Sequence, residues 1–440
     1  MERFMTYEEA LQYIYERSSF RIKLGLERMH YLLEKLGDPH RRFPVVHIAG
    51  TNGKGSTTVM LSTVLKKAGY KVGRYTSPHL SSYSERIMVA EKSIPPESLA
   101  ALVARVKPVV EAADGHPEIG PATFFEFGTL LAFSFFAGEE VDIAVVEVGM
   151  GGRLDATNVV DPLVCAITPI GLEHREYLGE TLEAIAREKA GIIKAKRPVV
   201  TGLQEPGALQ VLAGAAARAG APLYRVGKEI RFRLERADLS GTYLELQWKE
   251  EPPLRVRVNL LGSHQAANAA LVYGVLHLLR EEGFPWRRED LIAGLNEVQW
   301  PGRLELIPGN PSFLLDGAHN PHACRVLVQS LEELFPRAML TAVIGVQENR
   351  PVEEIAGILA PKVRKVFATR IPHPNTALPA RIGTAFRRYG IDAVEVDDPL
   401  QAVGLAGEAN LAAGTNLPVL FTGSFYLLGE VRPYLLNGRR

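Results

Sequence analysis

Short apolar runs alternate with amphipathic stretches along most of this chain, and the alternation predicts its architecture. Up to about residue 37, near-helical spacing relates the apolar positions Ile22, Leu26, Met29, Leu33 and Leu36. From residue 45 onward, strands are predicted over residues 45–49, 71–75, 141–148 and 163–167, with helical stretches between most of them. Such alternation is typical of a mainly parallel sheet covered by helices on both faces.

A change of pattern between about residues 223 and 261 predicts a different kind of sheet. Apolar and polar residues alternate over residues 232–235, 242–246 and 254–258, and turn residues separate these runs. We therefore expect a small antiparallel meander appended to the first domain, followed by a helix from about residue 264 to 282.

Beyond Trp300-Pro301-Gly302 the strand–helix alternation returns and predicts a second domain. Its strands are predicted over residues 313–315, 339–346, 365–369, 393–396 and 418–421. The expected fold class is α/β, with an N-terminal domain over residues 1–298 that combines a mainly parallel sheet with the meander. A C-terminal Rossmann-like α/β domain is expected over residues 299–440. The length of 440 residues agrees with two or three domains.

Composition and charge exclude several classes of protein. The 50 basic and 50 acidic residues cancel, so the chain has no net charge with which to attract nucleic acid or an anionic membrane. The longest apolar run, around residues 129–138, is too short to span a bilayer, and the charged N-terminus lacks the apolar core of a signal peptide. Cys165 and Cys324 lie in apolar segments and predict buried free thiols. We expect a cytoplasmic protein with no nucleic-acid or membrane partner.

A glycine-rich loop between the first predicted strand and a helix carries the most specific chemistry. Backbone N–H groups of such a loop surround phosphate oxygens, a lysine adds a full charge, and a hydroxyl reaches the accompanying Mg²⁺. The loop and the start of the helix comprise Gly50, Thr51, Asn52, Gly53, Lys54, Gly55, Ser56 and Thr57. The spacing departs from the common P-loop, because Gly55 separates Lys54 from Ser56 and only Thr51 and Asn52 precede the Gly-Lys pair. The loop predicts a nucleoside triphosphate site, and the alternative is a glycine-rich turn without a ligand.

Polar residues follow several strands at the edge where parallel sheets bind ligands. They are Ser56 after the first strand, Ser77 after the second, Glu147 at the end of the third and His174 after the fourth. Together they suit Mg²⁺ on a triphosphate, although imidazole is an unusual ligand for so hard an ion. Each also has an ordinary explanation: a strand-end ion pair for Glu147, a loop histidine for His174 and a turn for Ser77.

Lys189 lies on the apolar face of a predicted helix, together with Leu182, Ile185 and Ala186. A lysine on such a face has to be paired, neutralised or chemically altered. A desolvated amine of lowered pKa can react with CO₂ to form an anionic carbamate. The ordinary alternative is a side chain that extends its ammonium group to the surface, and the residues alone favour that alternative.

The predicted second domain adds a further group of polar residues. Asp316-Gly317-Ala318-His319-Asn320-Pro321 directly follows the strand over residues 313–315, and Arg303 follows the crossover between the domains. These residues belong either to a ligand site or to a helix start, in which Asn320 or Asp316 caps the helix and Pro321 is its first residue.

Taken together, these segments resemble those of the folylpolyglutamate synthase and dihydrofolate synthase family, a group of Mur ligases that join acids to amino acids with ATP. The resemblance extends over nearly the whole chain. It rests on residues 47–56, 76–80, 84–87, 123–127, 147–158, 188–192, 264–265, 268–269, 300–303, 316–321 and 423–424.

The resemblance implies a role for each group of residues. The residues expected to hold ATP are those of the loop, 50–57, with Asn268, Arg303, Asp316 and His319. The residues expected to hold magnesium are Ser56, Ser77, Glu147 and His174. The residues expected to be catalytic are Lys54, Lys189 and His174, and Lys189 matches the family position that carries a carbamate, which reverses the preference stated above. ATP would then lie between the two domains, and the loop after Ser77 would help to hold the pterin.

The activity implied is that of an ATP-dependent ligase. The γ-phosphoryl group would move to a carboxylate of a dihydropteroate, of a folate or of both, and the α-amine of L-glutamate would attack the acyl phosphate. We expect small-molecule substrates and a monomeric protein. Two departures concern the substrates: Glu173 replaces the usual Asp before His174, and Gln347-Glu348-Asn349-Arg350 stands where the family commonly has a Lys-Asp pair.

Other functions fit the sequence less well. A peptidoglycan-type Mur ligase would carry a uridine-nucleotide domain of about 50 residues or more ahead of the loop, whereas here only helices are expected before Gly50. The presence of Lys54, Glu147 and His174 disfavours a nucleotide-binding relative without turnover. The loop spacing and the second domain disfavour a P-loop kinase, and a ligase for another carboxylic acid stays open.

Overall fold

The computed structural model describes residues 5–20 and 25–437. Its N-terminal helices are α1 (Tyr7–Glu16) and α2 (Glu27–Lys35), which pack on the sheet domain through Ile14, Met29 and Leu33. The predicted amphipathic helices before residue 37 are therefore present, although Ile22 lies outside the described residues.

The large sheet of the N-terminal region has eight strands in the order β4-β3-β2-β5-β1-β6-β7-β8. Its strands are β1 (Val45–Ala49), β2 (Val72–Tyr75), β3 (Ile87–Val89), β4 (Lys92–Ser93), β5 (Ile143–Glu147), β6 (Val164–Ile167), β7 (Val199–Thr201) and β8 (Leu223–Arg225). All neighbours pair in parallel except β3 and β4, which form an antiparallel edge. This confirms the predicted mainly parallel sheet. The four strands that the pattern did not predict have only two or three residues each, too few to show a period.

Helices cover both faces of this sheet. They are α3 (Lys54–Lys67), α4 (Pro96–Asp114), α5 (Phe124–Gly138), α6 (Arg175–Leu178), α7 (Leu182–Ala190), α8 (Pro206–Ala219), α9 (His264–Glu281) and α10 (Arg288–Glu297). Cys165 and Cys324 are buried free thiols, as predicted. Within residues 5–20 and 25–437, no helix combines the length and the apolar character needed to cross a membrane.

The predicted meander is present as a separate three-stranded antiparallel sheet in the order β11-β10-β9. Its strands are β9 (Ile230–Asp238), β10 (Gly241–Trp248) and β11 (Leu254–Val258). The boundary of this region needs one correction, because β8 lies within residues 223–261 but pairs in parallel with β7 in the large sheet. Apolar side chains of β10 and β11 pack with those of α9 in one core.

The C-terminal region forms a six-stranded sheet in the order β12-β13-β17-β14-β15-β16. Its strands are β12 (Glu305–Ile307), β13 (Phe313–Leu315), β14 (Leu340–Ile344), β15 (Val363–Thr369), β16 (Asp392–Val396) and β17 (Val419–Thr422). Its helices are α11 (Pro321–Leu334), α12 (Val352–Leu359), α13 (Pro379–Arg387), α14 (Pro399–Ala412) and α15 (Phe425–Asn437). All strands are parallel except β12, which was not predicted and pairs antiparallel with β13. The α/β fold class is thus confirmed in both regions.

Close packing of α10 fixes the helix that follows the glycine-rich loop. Helix α3 is almost entirely buried, and α10 meets it at Gly294. A Cβ at Gly294 would lie 2.6 Å from the Cα atom of Val64 in α3, so only a glycine allows this approach.

We expect Gly294→Ala to lower the free energy of unfolding by about 1–3 kcal/mol, because the added methyl group would force α10 away from α3. The matched control is Gly404→Ala in α14, where an added Cβ meets no atom within 4 Å. That variant should be neutral or more stable, since alanine favours a helix over glycine by about 1 kcal/mol. Urea denaturation of both variants checks the prediction, and equal midpoints would contradict it.

Candidate functional site

The glycine-rich loop adopts a backbone that side chains would prevent. Gly50 and Gly53 have φ angles of +143° and +91°. A Cβ at Gly50 would lie 1.8 Å from Thr168 Oγ1, and one at Gly53 would lie 2.6 Å from Asn268 Oδ1. The loop can therefore pass close to β6 and α9 only with glycine at these positions. Its backbone turns directly from the carboxyl end of β1 into the N-terminus of α3.

Lys54 is the first residue of α3 and folds back over the loop. Its Nζ donates hydrogen bonds to the carbonyl oxygens of Gly50, at 3.0 Å, and Thr51, at 3.1 Å. The Thr51 hydroxyl in turn donates to the carbonyl of Gly171, which follows β6. The positive charge of the lysine is thus held at the strand ends, beside the start of a helix, where anions bind.

Glu147 ends β5 beside the loop and is 4% exposed. The backbone N–H of Ser77 donates to its Oε2 at 3.2 Å. Burial raises the pKa of Glu147 to about 7, and the charge of Lys54 acts in the opposite direction. No cation lies within 4 Å of this carboxylate among the described residues, so the ion-pair explanation of Glu147 is not what the structure shows.

Lys189 is buried, with 1% exposure, and its ammonium group does not extend to the surface. Its Nζ donates to Glu173 Oε1 and to the carbonyl oxygen of Gly50, each at 2.7 Å. Burial lowers the pKa of Lys189 to about 8, although Glu173 opposes this shift. Burial would raise the pKa of Glu173, but Lys189 and Lys54 outweigh it and hold that pKa at about 2. The pair therefore fixes a cation directly behind the loop.

The C-terminal region with the six-stranded sheet, called the second region below, supplies the opposite wall of the site. Asp316 follows β13 and accepts hydrogen bonds from the backbone N–H groups of Leu304 and Ala318, at 3.0 and 2.9 Å. Arg303 lies over the ring of Phe425, at 4.4 Å from its centroid. Asn320 caps α11 by accepting from the N–H of Ala323, and Pro321 is the first residue of that helix, so the capping explanation is confirmed for Asn320.

A cleft of about 200 Å³ separates the two walls and brings most of the predicted residues together. Its lining includes Thr51, Asn52, Gly53, Lys54, Gly55, Ser56, Ser77, Glu147, His174, Asn268, Arg303, Asp316 and His319. Three of the predicted residues, Gly50, Thr57 and Lys189, are absent from the lining and lie behind it. Gly50 presents its carbonyl to Lys54 and Lys189, and the hydroxyl of Thr57 is fully buried without a hydrogen-bond partner.

The structure adds site residues that the sequence reasoning did not single out. Glu173 was noted beside His174 after the fourth strand and as a departure from a motif, without a role of its own, yet it pairs with Lys189. Trp300 of the crossover lies against the loop, since a Cβ at Gly55 would approach its Cζ2 to 2.9 Å. His322 of α11 is hydrogen-bonded to Asn52. Only the tertiary contacts reveal these partners, because each is far from the loop along the chain.

Two neighbouring features complete the geometry. A second pocket of about 340 Å³ shares Ser77, Pro78 and Gly149 with the cleft, and the rings of Phe124 and Phe125 form part of its wall.

Among the described residues, no cluster of three or more His, Cys, Asp or Glu side chains could hold a metal alone. Glu147 and His174 are the metal-binding types in the predicted set, so further ligands would have to be hydroxyls, phosphates or water.

Comparisons with known proteins match this architecture. Residues 48–276 match the Mur ligase middle domain, and residues 302–425 match the Mur ligase glutamate ligase domain. The chain is 36% identical over 440 residues to the dihydrofolate synthase/folylpolyglutamate synthase of Bacillus subtilis, covering 98% of this chain and the whole of that protein. The chain belongs to the folylpolyglutamate synthase family of Mur ligases.

Solved structures of this family share the whole fold. The Mycobacterium tuberculosis folylpolyglutamate synthase complexed with ADP has a TM-score of 0.90 and 33% identity, covering 99% of this chain and 98% of that one. The Escherichia coli FolC protein in complex with DHPP and ADP has a TM-score of 0.86 and 30% identity, covering 99% of each chain. The resemblance inferred from the motifs is therefore confirmed over nearly the full length.

For the protein in which Lys189 is an ammonium, as in this structure, we expect Glu173→Gln to lower the free energy of unfolding by about 3 kcal/mol, because that group would stay buried without its counter-charge. The control Glu176→Gln removes an exposed carboxylate from the adjoining helix α6 and should change little. Thermal unfolding of both variants measures the effect. An unchanged midpoint for Glu173→Gln would mean that Lys189 is not a cation in the folded protein.

Proposed function

We propose that this protein is an ATP-dependent ligase that joins L-glutamate to the carboxylate of a dihydropteroate, a reduced folate or both, and releases ADP and phosphate. The observation that carries the proposal is the single cleft in which Lys54 and the glycine-rich loop face Asp316 and His319 of the second region. Membership of the folylpolyglutamate synthase family supports the same activity.

ATP would bind between the proposed domains, residues 1–298 and 299–440. The loop amides and Lys54 hold the β- and γ-phosphates, as expected for a lysine and a helix N-terminus at the end of a strand. The other nucleotide contacts come from Asn268, Arg303, Asp316 and His319, all of which line the cleft.

The residues on the loop side of the cleft fit magnesium brought in with the nucleotide. Glu147 is a buried carboxylate without a cation within 4 Å among the described residues, and the hydroxyls of Ser56 and Ser77 line the same cleft. Such oxygen donors suit Mg²⁺, which retains water and phosphate oxygens as further ligands. We assign Ser56, Ser77, Glu147 and His174 to this role. When bound, Mg²⁺ would neutralise charge on the phosphates.

The chain aligns the reactants and excludes water rather than forming a covalent intermediate of its own. A carboxylate oxygen of the pterin acid attacks the γ-phosphorus atom, and the bond from that atom to the ADP oxygen breaks. The unprotonated amine of glutamate then bonds to the carbonyl carbon of the acyl phosphate. The bond from carbon to the phosphate oxygen breaks, and the proton shed by the amine leaves with inorganic phosphate.

The second pocket is the proposed place of the pterin acid. It shares Ser77, Pro78 and Gly149 with the cleft, so an acid bound there can extend its carboxylate to the γ-phosphate. Phe124 and Phe125 offer aromatic faces to a flat ring. Closure of the second domain would shield the acyl phosphate from hydrolysis.

We also propose that Lys189 carries a carbamate in the active enzyme. Its pKa of about 8 leaves a fraction of the amine unprotonated near neutral pH, and only that form reacts with CO₂. The ammonium group first loses one proton to give the amine, and addition of CO₂ to the amine releases a second proton, so that an anion replaces a cation. The bond to Glu173 belongs to the ammonium form, so carbamate formation requires these two side chains to separate.

The decisive experiment is phosphate release from ATP with Mg²⁺ and L-glutamate, with dihydropteroate and tetrahydrofolate supplied in separate reactions. We expect release that requires glutamate, Mg²⁺ and at least one of the two acids. Lys54→Ala should abolish it, whereas the control Lys66→Ala, at the far end of α3, should not. Release without any acid, or no release with either acid, would contradict the proposal.

The monomeric state and the cytoplasmic location of the protein stay predictions.

We expect Lys189→Ala to be nearly inactive and to be partly rescued by formate or acetate, which can supply the missing anion. Phosphate release with and without the added acid measures the effect, and the same acids should not activate Lys54→Ala. Full activity of Lys189→Ala without any acid would rule out the carbamate.

A further inference from the structure

The first turn of α11 contacts the glycine-rich loop of the N-terminal region. The side-chain amide of Asn52, in that loop, donates a hydrogen bond to Nδ1 of His322, the second residue of α11. The two residues lie 270 positions apart in the chain, and the bond joins the two regions. The imidazole also packs on the segment after β6, since a Cβ at Gly171 would lie 3.2 Å from its Cδ2 atom. His322 therefore meets the N-terminal region at two points.

The bond from Asn52 defines the tautomer of the imidazole. An amide nitrogen can only donate, so Nδ1 of His322 is the acceptor and the ring proton lies on Nε2. Burial lowers the pKa of His322, and the charge of Arg325 acts in the same direction, whereas the charge of Glu173 opposes the shift. The ring is therefore neutral near pH 7 and keeps the lone pair that accepts from Asn52.

The backbone next to Asn52 is held by the segment after β6. The N–H group of Thr51 donates to the carbonyl oxygen of Pro169 at 3.1 Å. The Thr51 hydroxyl donates to the carbonyl oxygen of Gly171, at 3.1 Å, and accepts from the N–H group of the same residue, at 3.0 Å. Because its backbone is anchored in this way, the side chain of Asn52 gives α11 a fixed point on the loop.

Helix α11 forms part of the wall of the cleft. Three of its residues line that space: Ala323, Val326 and Leu327. At the end of the helix, Glu333 accepts a hydrogen bond from the hydroxyl of Ser263 in the N-terminal region, at 2.7 Å. At the start of the helix, His322 makes the corresponding tie to Asn52. The distance between α11 and the loop is thus set at both ends of the helix.

We propose that His322 is a positioning residue that holds α11 against the glycine-rich loop through Asn52 and so keeps water away from the acyl phosphate. The inference rests on the proposed function, in which that intermediate forms beside the loop. His322 acts indirectly, because it is absent from the lining of the cleft and lines a neighbouring cavity of about 750 Å³. Its effect passes through Asn52, which does line the cleft.

Loss of this contact has a distinct chemical result. Water that enters the cleft adds to the carbonyl carbon of the acyl phosphate, and the bond from that carbon to the phosphate oxygen breaks. One proton of the water leaves with inorganic phosphate, and the new carboxyl group releases the other. The pterin acid is regenerated, so phosphate is released without an amide bond. The ratio of phosphate to amide product therefore measures the exclusion of water, and it does not depend on how much of a variant is folded.

The test compares three substitutions of His322. For His322→Ala, which removes the acceptor, we expect phosphate to exceed amide product about threefold and kcat for amide formation to fall about tenfold. His322→Asn keeps an acceptor at the place of Nδ1, because its Oδ1 is also two bonds from Cβ, and should restore equal amounts of the two products. His322→Gln carries its oxygen one bond further, at the place of Nε2, and should behave as His322→Ala. The KM for ATP should be unchanged in all three, since the loop and Lys54 are intact.

The control Gln329→Ala removes an exposed side chain from the same helix and should behave as the unmodified protein. Equal amounts of phosphate and amide product in His322→Ala would overturn the inference. So would an excess of phosphate in His322→Asn as large as that in His322→Ala. No phosphate release by the unmodified protein would instead contradict the proposed function, and this inference with it.

Discussion

Two lysine ammonium groups converge on one backbone carbonyl, that of Gly50, at the end of the central strand β1. Lys54 reaches it from the start of α3. Lys189, which lies 139 residues after Gly50 in the chain, reaches it from α7. A single carbonyl cannot neutralise two cations, and Glu173 compensates only one of them. The loop therefore holds positive charge beside a helix N-terminus, a combination that suits an anion. The loop, the strand ends and the second region are arranged around this charge.

The fold removes this charge from water, which disfavours the charged form of Lys189, and the contacts with Glu173 and the Gly50 carbonyl offset part of that cost. Parallel pairing places β5 and β6 on either side of β1, so that Glu147 and the segment with Glu173 flank the loop. Glycines then allow neighbouring elements to approach: Gly53 toward Asn268, Gly55 toward Trp300 and Gly294 toward Val64. Each approach replaces solvent by protein, which strengthens the electrostatic interactions inside the cleft. The shifted pKa values of Lys189 and Glu147 are consequences of this burial.

The second region contributes polar groups at the ends of its own parallel strands. Asp316 and His319 follow β13, and the segment with Arg350 follows β14, its near neighbour in the sheet. Both sheets thus present their carboxyl edges to one space, the position where open α/β sheets bind ligands. Hydrogen bonds between Asn52 and His322, and between Ser263 and Glu333, join the two regions across that space.

The sequence by itself determined the elements whose pattern is local. The glycine-rich loop, the long strands and the meander follow from short-range sterics and periodicity, and the motifs were specific enough to indicate the family. The start of α11 was left between a cap by Asn320, a cap by Asp316 and a ligand site, and the structure decided for Asn320 as the cap. The sequence could not assign Lys189, because the cost of a buried ammonium depends on whether a carboxylate lies beside it. Only the tertiary structure decided that Glu173 and the Gly50 carbonyl supply that partner. Likewise, β8 pairs with the large sheet rather than with the meander because β7 offers it an open edge, and no local period records which edge is open. Charge interactions, burial and strand pairing depend on residues that are distant in sequence, so only the folded structure defines them.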